Sequence, residues 1–530
     1  MRIAFSVLAA LVCAGSACAA EFENRWVYFT TPMTDDANVR EAERVIASAK
    51  ANGLNGLVLA CGLEFFSCWP GDRLPRLRAI QRACDEAGLE IVPSMFSLGY
   101  GSMCNYGISL LEGVPVEGWT YVAKGGRLVP SAARPVDVGK VDRQVEKSMN
   151  RLLVGKVPVK DKARYRLSCR MRTKGFSAKR ALELWAVESG RKEFVLLASR
   201  SFKFKPTQDW TLCEVEFNVP EDVTALSLYA GCQGGYQSGE LDLEGFKLEQ
   251  VPPVAVLKRD TAPVVVRNAK TGRAYAAGRD FTVPKCSRAG ADHGEPVKPT
   301  EFPIPEGSSI REGDVVTLDC YVLAVVDGAQ VSTCLSEPAR YGYIEKSVRK
   351  VEELLSPKKW QISIDEFRNG GTCAGCKARG LTMAQMYGDA VTKIHDCILA
   401  AHPGAEVHMW SDMLDPGHNG IERYYNCRGS FRDAWKYVPK DIVVDCWYGE
   451  KCETSLRFFE QKGFRTFAAA YYDEKPPFEH ARRWRDAARV TKGCTGWMYT
   501  TWRKAYGDLP AFCKLMNAES DVLNKERANR

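Results

Sequence analysis

Short apolar strands alternate with amphipathic helices from residue 25 onward, stop after residue 96, and resume near residue 337. RWVYFTT (25 to 31), GLNGLVLACG (53 to 62) and LEIVPSMF (89 to 96) precede the break. KKWQISIDEF (358 to 367), EVHMWSDM (406 to 413), DIVVDCWYG (441 to 449), FRTFAAAYYD (464 to 473) and TGWMYTTW (495 to 502) follow it. Helical or helix-sized segments separate them, which predicts an α/β fold, a (β/α)8 TIM barrel interrupted after its third strand. Within the break, residues 130–252 show period-two strands with almost no helical periodicity, the pattern of an antiparallel β-sandwich. Residues 253–336 are richer in proline and glycine and read as a small β element returning to the barrel. The expected domains are barrel residues 20–129, the inserted sandwich 130–252, the return 253–336 and barrel residues 337–530.

The amino terminus indicates the compartment. Met1 and Arg2 lead an apolar run that ends in Ala17-Cys18-Ala19, so residues 1–19 read as a secretory signal and the protein as secreted or periplasmic. Gly15-Ser16-Ala17-Cys18 offers lipid anchoring as the alternative. The run is too short to span a bilayer, and no later stretch is long and apolar enough. A formal charge of +8, spread along the chain, makes no case for nucleic acid. Cys373-Ala374-Gly375-Cys376 is a lone C-x-x-C without a second pair at zinc-ribbon spacing. It reads as a local disulfide or two thiols in preference to structural zinc. The 6 histidines include no H-x-H or H-E-x-x-H, and His395, His402, His408 and His418 read as helix-surface, loop or rim residues. No metal and no cofactor are expected.

Barrel enzymes take their chemistry from the carboxyl ends of the strands. Strand four ends in Asp365 and Glu366, strand five in Trp410, Asp412 and Asp415, and strand six in Asp445, Trp447 and Tyr448. Strand seven ends in Tyr471, Tyr472, Asp473 and Glu474, and strand eight in Tyr499 and Trp502. Aromatic faces stack on the apolar faces of sugar rings, while carboxylates bond hydroxyls and cleave glycosidic bonds, so the expected partner is a glycan or oligosaccharide. Asp365 and Glu366 are the candidate catalytic residues. Trp410, Asp412, Asp445, Trp447, Tyr471, Tyr472, Asp473, Tyr499 and Trp502 are the candidate substrate-binding residues. Adjacent strand residues point to opposite faces, so both acids can meet one site only if the strand ends between them, and Asn369-Gly370-Gly371 is the expected bend. In the sandwich, Trp185, Trp210, Tyr229 and Tyr236 are candidates for a sugar platform or for core.

SIDEF, MWSDM and GWMYTTW resemble the catalytic domain of family 20 glycoside hydrolases, the β-N-acetylhexosaminidases, and a group of exported bacterial relatives of that barrel. The resemblance covers about residues 25–96 and 337–515, and the Asp-Glu pair is its specific motif. It implies that Asp365 orients the substrate's own 2-acetamido group for attack on the anomeric carbon, and that Glu366 protonates the leaving oxygen. The family's usual His-x-Gly-Gly is replaced here by Gln361-Ile362-Ser363-Ile364. The closing strands SGELDLEGFKLEQV make the insertion resemble a carbohydrate-binding module. Two alternatives stay open: a retaining glycosidase with Glu366 as acid/base and Asp473 or Glu474 as nucleophile, and a glycan-binding protein without turnover.

Overall fold

The structure, a computed structural model, describes residues 22–101, 106–138, 144–146, 151–190, 195–232, 236–286, 298–324 and 331–518. The expected signal, residues 1–19, lies outside them. Eight parallel strands close into a barrel in chain order: Asn24–Thr30, Gly56–Ala60, Glu90–Met95, Lys359–Ile362, Glu406–Trp410, Val443–Cys446, Arg465–Ala469 and Cys494–Tyr499. Gln361 and Ile362 pair with Ser94 and Met95, so the third strand's neighbour arrives only after three other sheets have been built.

Strand alternation divides the side chains. Trp26, Tyr28, Val58, Val92, Trp410, Val443, Phe467 and Met498 form one cluster inside the barrel, while Val27, Phe29, Leu57 and Leu59 join the larger core beneath the helices. The helices begin where local chemistry allows. Asp35 and Asn38 form a capping box for Asp36–Ala51, and Thr382 and Gln385 form one for Met383–Ala401. The helix Arg73–Ala87 stops at Gly88, whose φ of 71° suits a residue without Cβ. Between strands five and six the chain makes 3-10 turns, Tyr424–Asn426 and Ala434–Lys436, where most other strand connections carry an α-helix.

The insertion holds two cores. Sheets of five and four strands enclose the sandwich, with Leu167, Met171, Leu184, Phe217 and Leu228 between them. The six-stranded third sheet departs from the expected boundaries. Gly113–Lys124 and Arg127–Pro130, expected in the barrel segment, join Val265–Asn268 and Val315–Leu323 in it, because Trp119, Tyr121, Val316 and Leu318 bury one common face. Trp185 and Tyr229 are no open platform: they are buried neighbours on adjacent strands, packed with Val187 and Leu196. Leu196 lies where the sandwich meets the barrel, its carbonyl accepting from Asn426 Nδ2 at 3.2 Å. Trp210 lies under the guanidinium groups of Arg170 and Arg172. The side chain of Tyr236 lies outside those described.

Candidate active site

A cavity of about 520 Å³ opens at the carboxyl ends of the barrel strands. Its floor is Trp410, whose indole N–H donates to Ser363 Oγ at 2.8 Å, with Tyr28 alongside at a ring separation of 5.9 Å. Its wall continues through Trp447, which stacks on Tyr472 at 5.9 Å and 14°, and through Trp502, which meets Tyr472 at 6.4 Å and Tyr28 at 5.4 Å. Tyr472 and Trp502 are about half exposed, at 54% and 47%, so this rim presents open ring faces. His418 braces Trp447 from behind, edge-on at 4.4 Å, and burial pushes its proton affinity down to about 4, leaving a neutral ring.

Asp365 and Glu366 both line this cavity. The hydrogen-bonded strand stops at Ile362, and the chain turns at Glu366 itself, whose φ is 40°. This refines the expected bend: Asn369 (φ 52°) and Gly371 (φ 80°) turn the chain again, but the acid pair is opened by the strained backbone of the second acid. Gly99 packs directly on that peptide. A Cβ there would fall 1.9 Å from the Asp365 carbonyl oxygen and 2.6 Å from that of Glu366, so only glycine fits.

The two carboxyls have different surroundings. Burial, reinforced by the Asp412 carboxylate, raises the proton affinity of Asp365 well above the usual carboxylate range, and its Oδ1 has no hydrogen-bond partner. Glu366 Oε2 accepts from Tyr100 Oη and from Arg368 Nη2, the latter at 2.8 Å. Arg368 is itself wedged between the rings of Tyr100 and Tyr425 at 4.8 and 4.9 Å. Asp412 stands behind the pair, buried, and accepts the Glu366 N–H at 2.8 Å and Asn419 Nδ2 at 3.3 Å. Burial raises it too, against the opposing effect of the Glu366 N–H.

Of the residues singled out from the sequence, Asp365, Glu366, Trp410, Trp447, Tyr472 and Trp502 surround one cavity, and Asp412 supports it from behind. The other four candidate substrate-binding residues, and Glu474 of the nucleophile alternative, are placed elsewhere. Asp445 lies inside the barrel, fully buried, bonded to Gln361 Nε2 at 3.0 Å and His408 Nδ1 at 2.8 Å. Tyr471 and Tyr499 point outward and stack on each other at 4.1 Å in the helix-facing core: Tyr499 follows the inward-facing Met498 by one residue, whereas Tyr471 lies past the end of its strand at Ala469, where the inward alternation of Phe467 and Ala469 no longer holds. Asp473 turns back to accept from Thr501 Oγ1 and from the backbone N–H groups of Trp502 and Arg503, the latter two at 2.9 and 3.1 Å. Glu474 accepts from His480 N–H at 3.0 Å and Ala481 N–H at 3.3 Å, capping the helix Glu479–Val490. Neither strand-seven acid lines the cavity, which removes the geometric basis of the nucleophile alternative.

Glu64, Tyr28, Tyr100 and Arg368 were not singled out from the sequence. Glu64 follows strand two in the 3-10 turn Leu63–Cys68, lines the cavity, and is pushed up to about 7 by burial. The acid two residues beyond a strand ending in Cys61-Gly62 was the available signal. Among the described residues, one group of side chains is spaced to hold a metal ion, Glu112 with Cys334, Cys373 and Cys376, and none of the four lines the cavity.

Fold and site together define a parallel β/α barrel whose mouth combines paired acids with a wall of aromatic rings. No protein-family model and no curated protein matches the chain. Among solved structures, the chain is similar to a tandem GH20 catalytic module of the pneumococcal exo-β-D-N-acetylglucosaminidase, at 7% identity over 96% of this chain and 87% of that one, with a TM-score of 0.37. A glycoside hydrolase family 20 β-N-acetylglucosaminidase aligns at 9% identity over 94% and 69%, with a TM-score of 0.36. An inactive mutant of the GH20 exo β-N-acetylglucosaminidase from Vibrio harveyi aligns at 14% identity, with a TM-score of 0.25. That alignment spans 37% of this chain and 33% of the Vibrio harveyi protein. Superpositions this loose assign neither family nor activity.

Proposed function

We propose that the protein is an exported glycoside hydrolase that cleaves a glycan at the barrel mouth, with Asp365 and Glu366 as its reacting carboxyls. The observation that carries this reading is the convergence of both acids with Trp447, Tyr472 and Trp502 on one cavity whose volume falls within the roughly 300–1,000 Å³ of small-molecule sites. The aromatic wall suits the apolar face of a sugar, and the unpartnered Asp365 Oδ1 is available to a polar group of the ligand. In the substrate-assisted version, Asp365 orients a 2-acetamido group and Glu366 protonates the leaving oxygen.

One observation favours the exchange of these two roles. A proton donor must carry its proton at the working pH, and Asp365 is the carboxyl held up by burial, whereas Glu366 is ion-paired with Arg368. In that version Asp365 donates the proton, and Glu366 stabilises the charge that develops on the sugar.

Aryl glycosides with and without a 2-acetamido group, each with good and poor leaving groups, test both versions. A good leaving group departs without protonation, so the variant that keeps activity on activated substrates identifies the acid. Glu366→Gln is spared in the first version and Asp365→Asn in the second. Absence of turnover on every glycoside and natural glycan tried, with glycan binding retained, would favour a binding protein.

A further inference from the structure

We propose that Glu112, Cys334, Cys373 and Cys376 bind one structural zinc ion, tetrahedrally coordinated by three thiolates and one carboxylate, behind the loop that carries Asp365 and Glu366. The donor atoms all lie within 4.8 Å of one another, and all four residues are fully buried. Cys334 Sγ stands 3.5 Å from Cys373 Sγ and 3.8 Å from Cys376 Sγ, and Cys376 Sγ stands 3.7 Å from Glu112 Oε2. A tetrahedral zinc with bonds of about 2.3 Å to sulfur and about 2.0 Å to oxygen places two sulfurs about 3.8 Å apart and a sulfur and an oxygen about 3.5 Å apart. The observed separations match those edges. A disulfide, at about 2.05 Å, would join only two of the three sulfurs and strand the third beside a buried carboxylate.

The surroundings are those of a ligand set already oriented. Glu112 Oε1 accepts the Cys373 N–H at 2.9 Å and the Thr372 hydroxyl at 3.1 Å, which leaves Oε2 turned toward Cys376. Gly375 lets the Cys-x-x-Cys turn sit against the neighbouring segment: its N–H donates to the Thr261 carbonyl at 2.9 Å, and a Cβ would come within 2.6 Å of the Thr261 side chain. Three thiolates and a carboxylate around Zn²⁺ carry a net charge of −2. The buried Arg259 guanidinium, anchored on the carbonyls of Ser109 and Leu111, lies beside the cluster and offsets part of it.

The ion would join three connections: the entry to the six-stranded sheet at Glu112, the returning chain at Cys334, and the loop after strand four at Cys373 and Cys376. The Arg368 N–H already donates to Ser332 Oγ at 2.6 Å, so the returning chain also supports the residue that pairs with Glu366. This assignment does not depend on the proposed activity.

The full chain, purified without added metal, is assayed for metal content and free thiols, then depleted with a strong chelator and reloaded with Co²⁺. The expected result is one zinc per chain, a lower melting temperature after chelation, and tetrahedral cobalt bands with intense sulfur-to-cobalt charge transfer on reloading. Cys334→Ser with Cys376→Ser should abolish these bands. The unmutated protein alone decides the matter if that variant fails to fold. A chain that neither retains zinc nor gives thiolate-cobalt bands, or a peptide map joining Cys334 to Cys373 or Cys376 in the native protein, would overturn the proposal.

Discussion

The acids of strand four and those of strands six and seven occupy the same kind of position in sequence and opposite kinds in space. Asp445 has both oxygens bonded, Asp473 accepts three donors, and Glu474 caps a helix. Asp365 keeps an oxygen without a partner, and Glu366 faces an open cavity. A carboxylate whose acceptor sites are filled by the protein holds the fold together. One left short of partners, and held there by a close-packed glycine, costs stability and is available to a ligand.

This contrast can be broken most readily at Asp445. His408 is fully buried between Asp445 and Glu406; burial alone would lower its proton affinity, but the two carboxylates more than offset that and raise it. Asp445→Ala leaves that charge half-paired and should cost about 3–5 kcal/mol in urea unfolding. An Asp445→Ala protein of unchanged stability would undo the distinction.

Glu64 gives the next largest effect, and it is a pH effect. Its ordinary value of 4.5 is raised to about 7 in the folded state, so the folded protein binds more protons than the unfolded chain between those values. Stability from this residue is therefore greatest below about pH 4.5 and falls as pH rises through 7, by up to about 3 kcal/mol. Glu64→Gln should flatten the melting temperature over that window, and an unaltered pH profile would show that the carboxyl is solvated. Glu474→Ala should have the smallest effect, about 1 kcal/mol from the lost cap, with turnover essentially kept. Loss of turnover there, rescued by azide, would return strand seven to the chemistry.

The barrel was legible because period-two strands and capped helices carry their pattern locally, as Asp35-Asn38 and Gly88 do. The acid pair was legible because it ends a strand. What the sequence hid depends on closure. Whether Tyr471 or Tyr472 faces the cavity is decided past the end of strand seven at Ala469, where the alternation that turns Phe467 and Ala469 inward no longer holds. Glu64 and Tyr100 enter from loops after strands two and three, where local pattern does not fix a direction. His408 looked like a rim or surface histidine because its buried partner Asp445 comes from the neighbouring strand, a pairing that only the closed sheet sets, although Glu406 stands two residues earlier on its own strand. The Cys-x-x-Cys pair lacked a visible partner because Cys334 and Glu112 reach it through the returning and outgoing ends of the insertion.

The most direct test of the central claim is steady-state turnover of a natural, unactivated glycan by Asp365→Asn and Glu366→Gln, with unfolding measured on the same samples. Both variants are expected to fold, to bind the glycan, and to lose roughly 10²- to 10⁴-fold in kcat. Undiminished turnover in either variant, or loss of activity matched by loss of folding, would contradict the assignment of this pair as the reacting carboxyls.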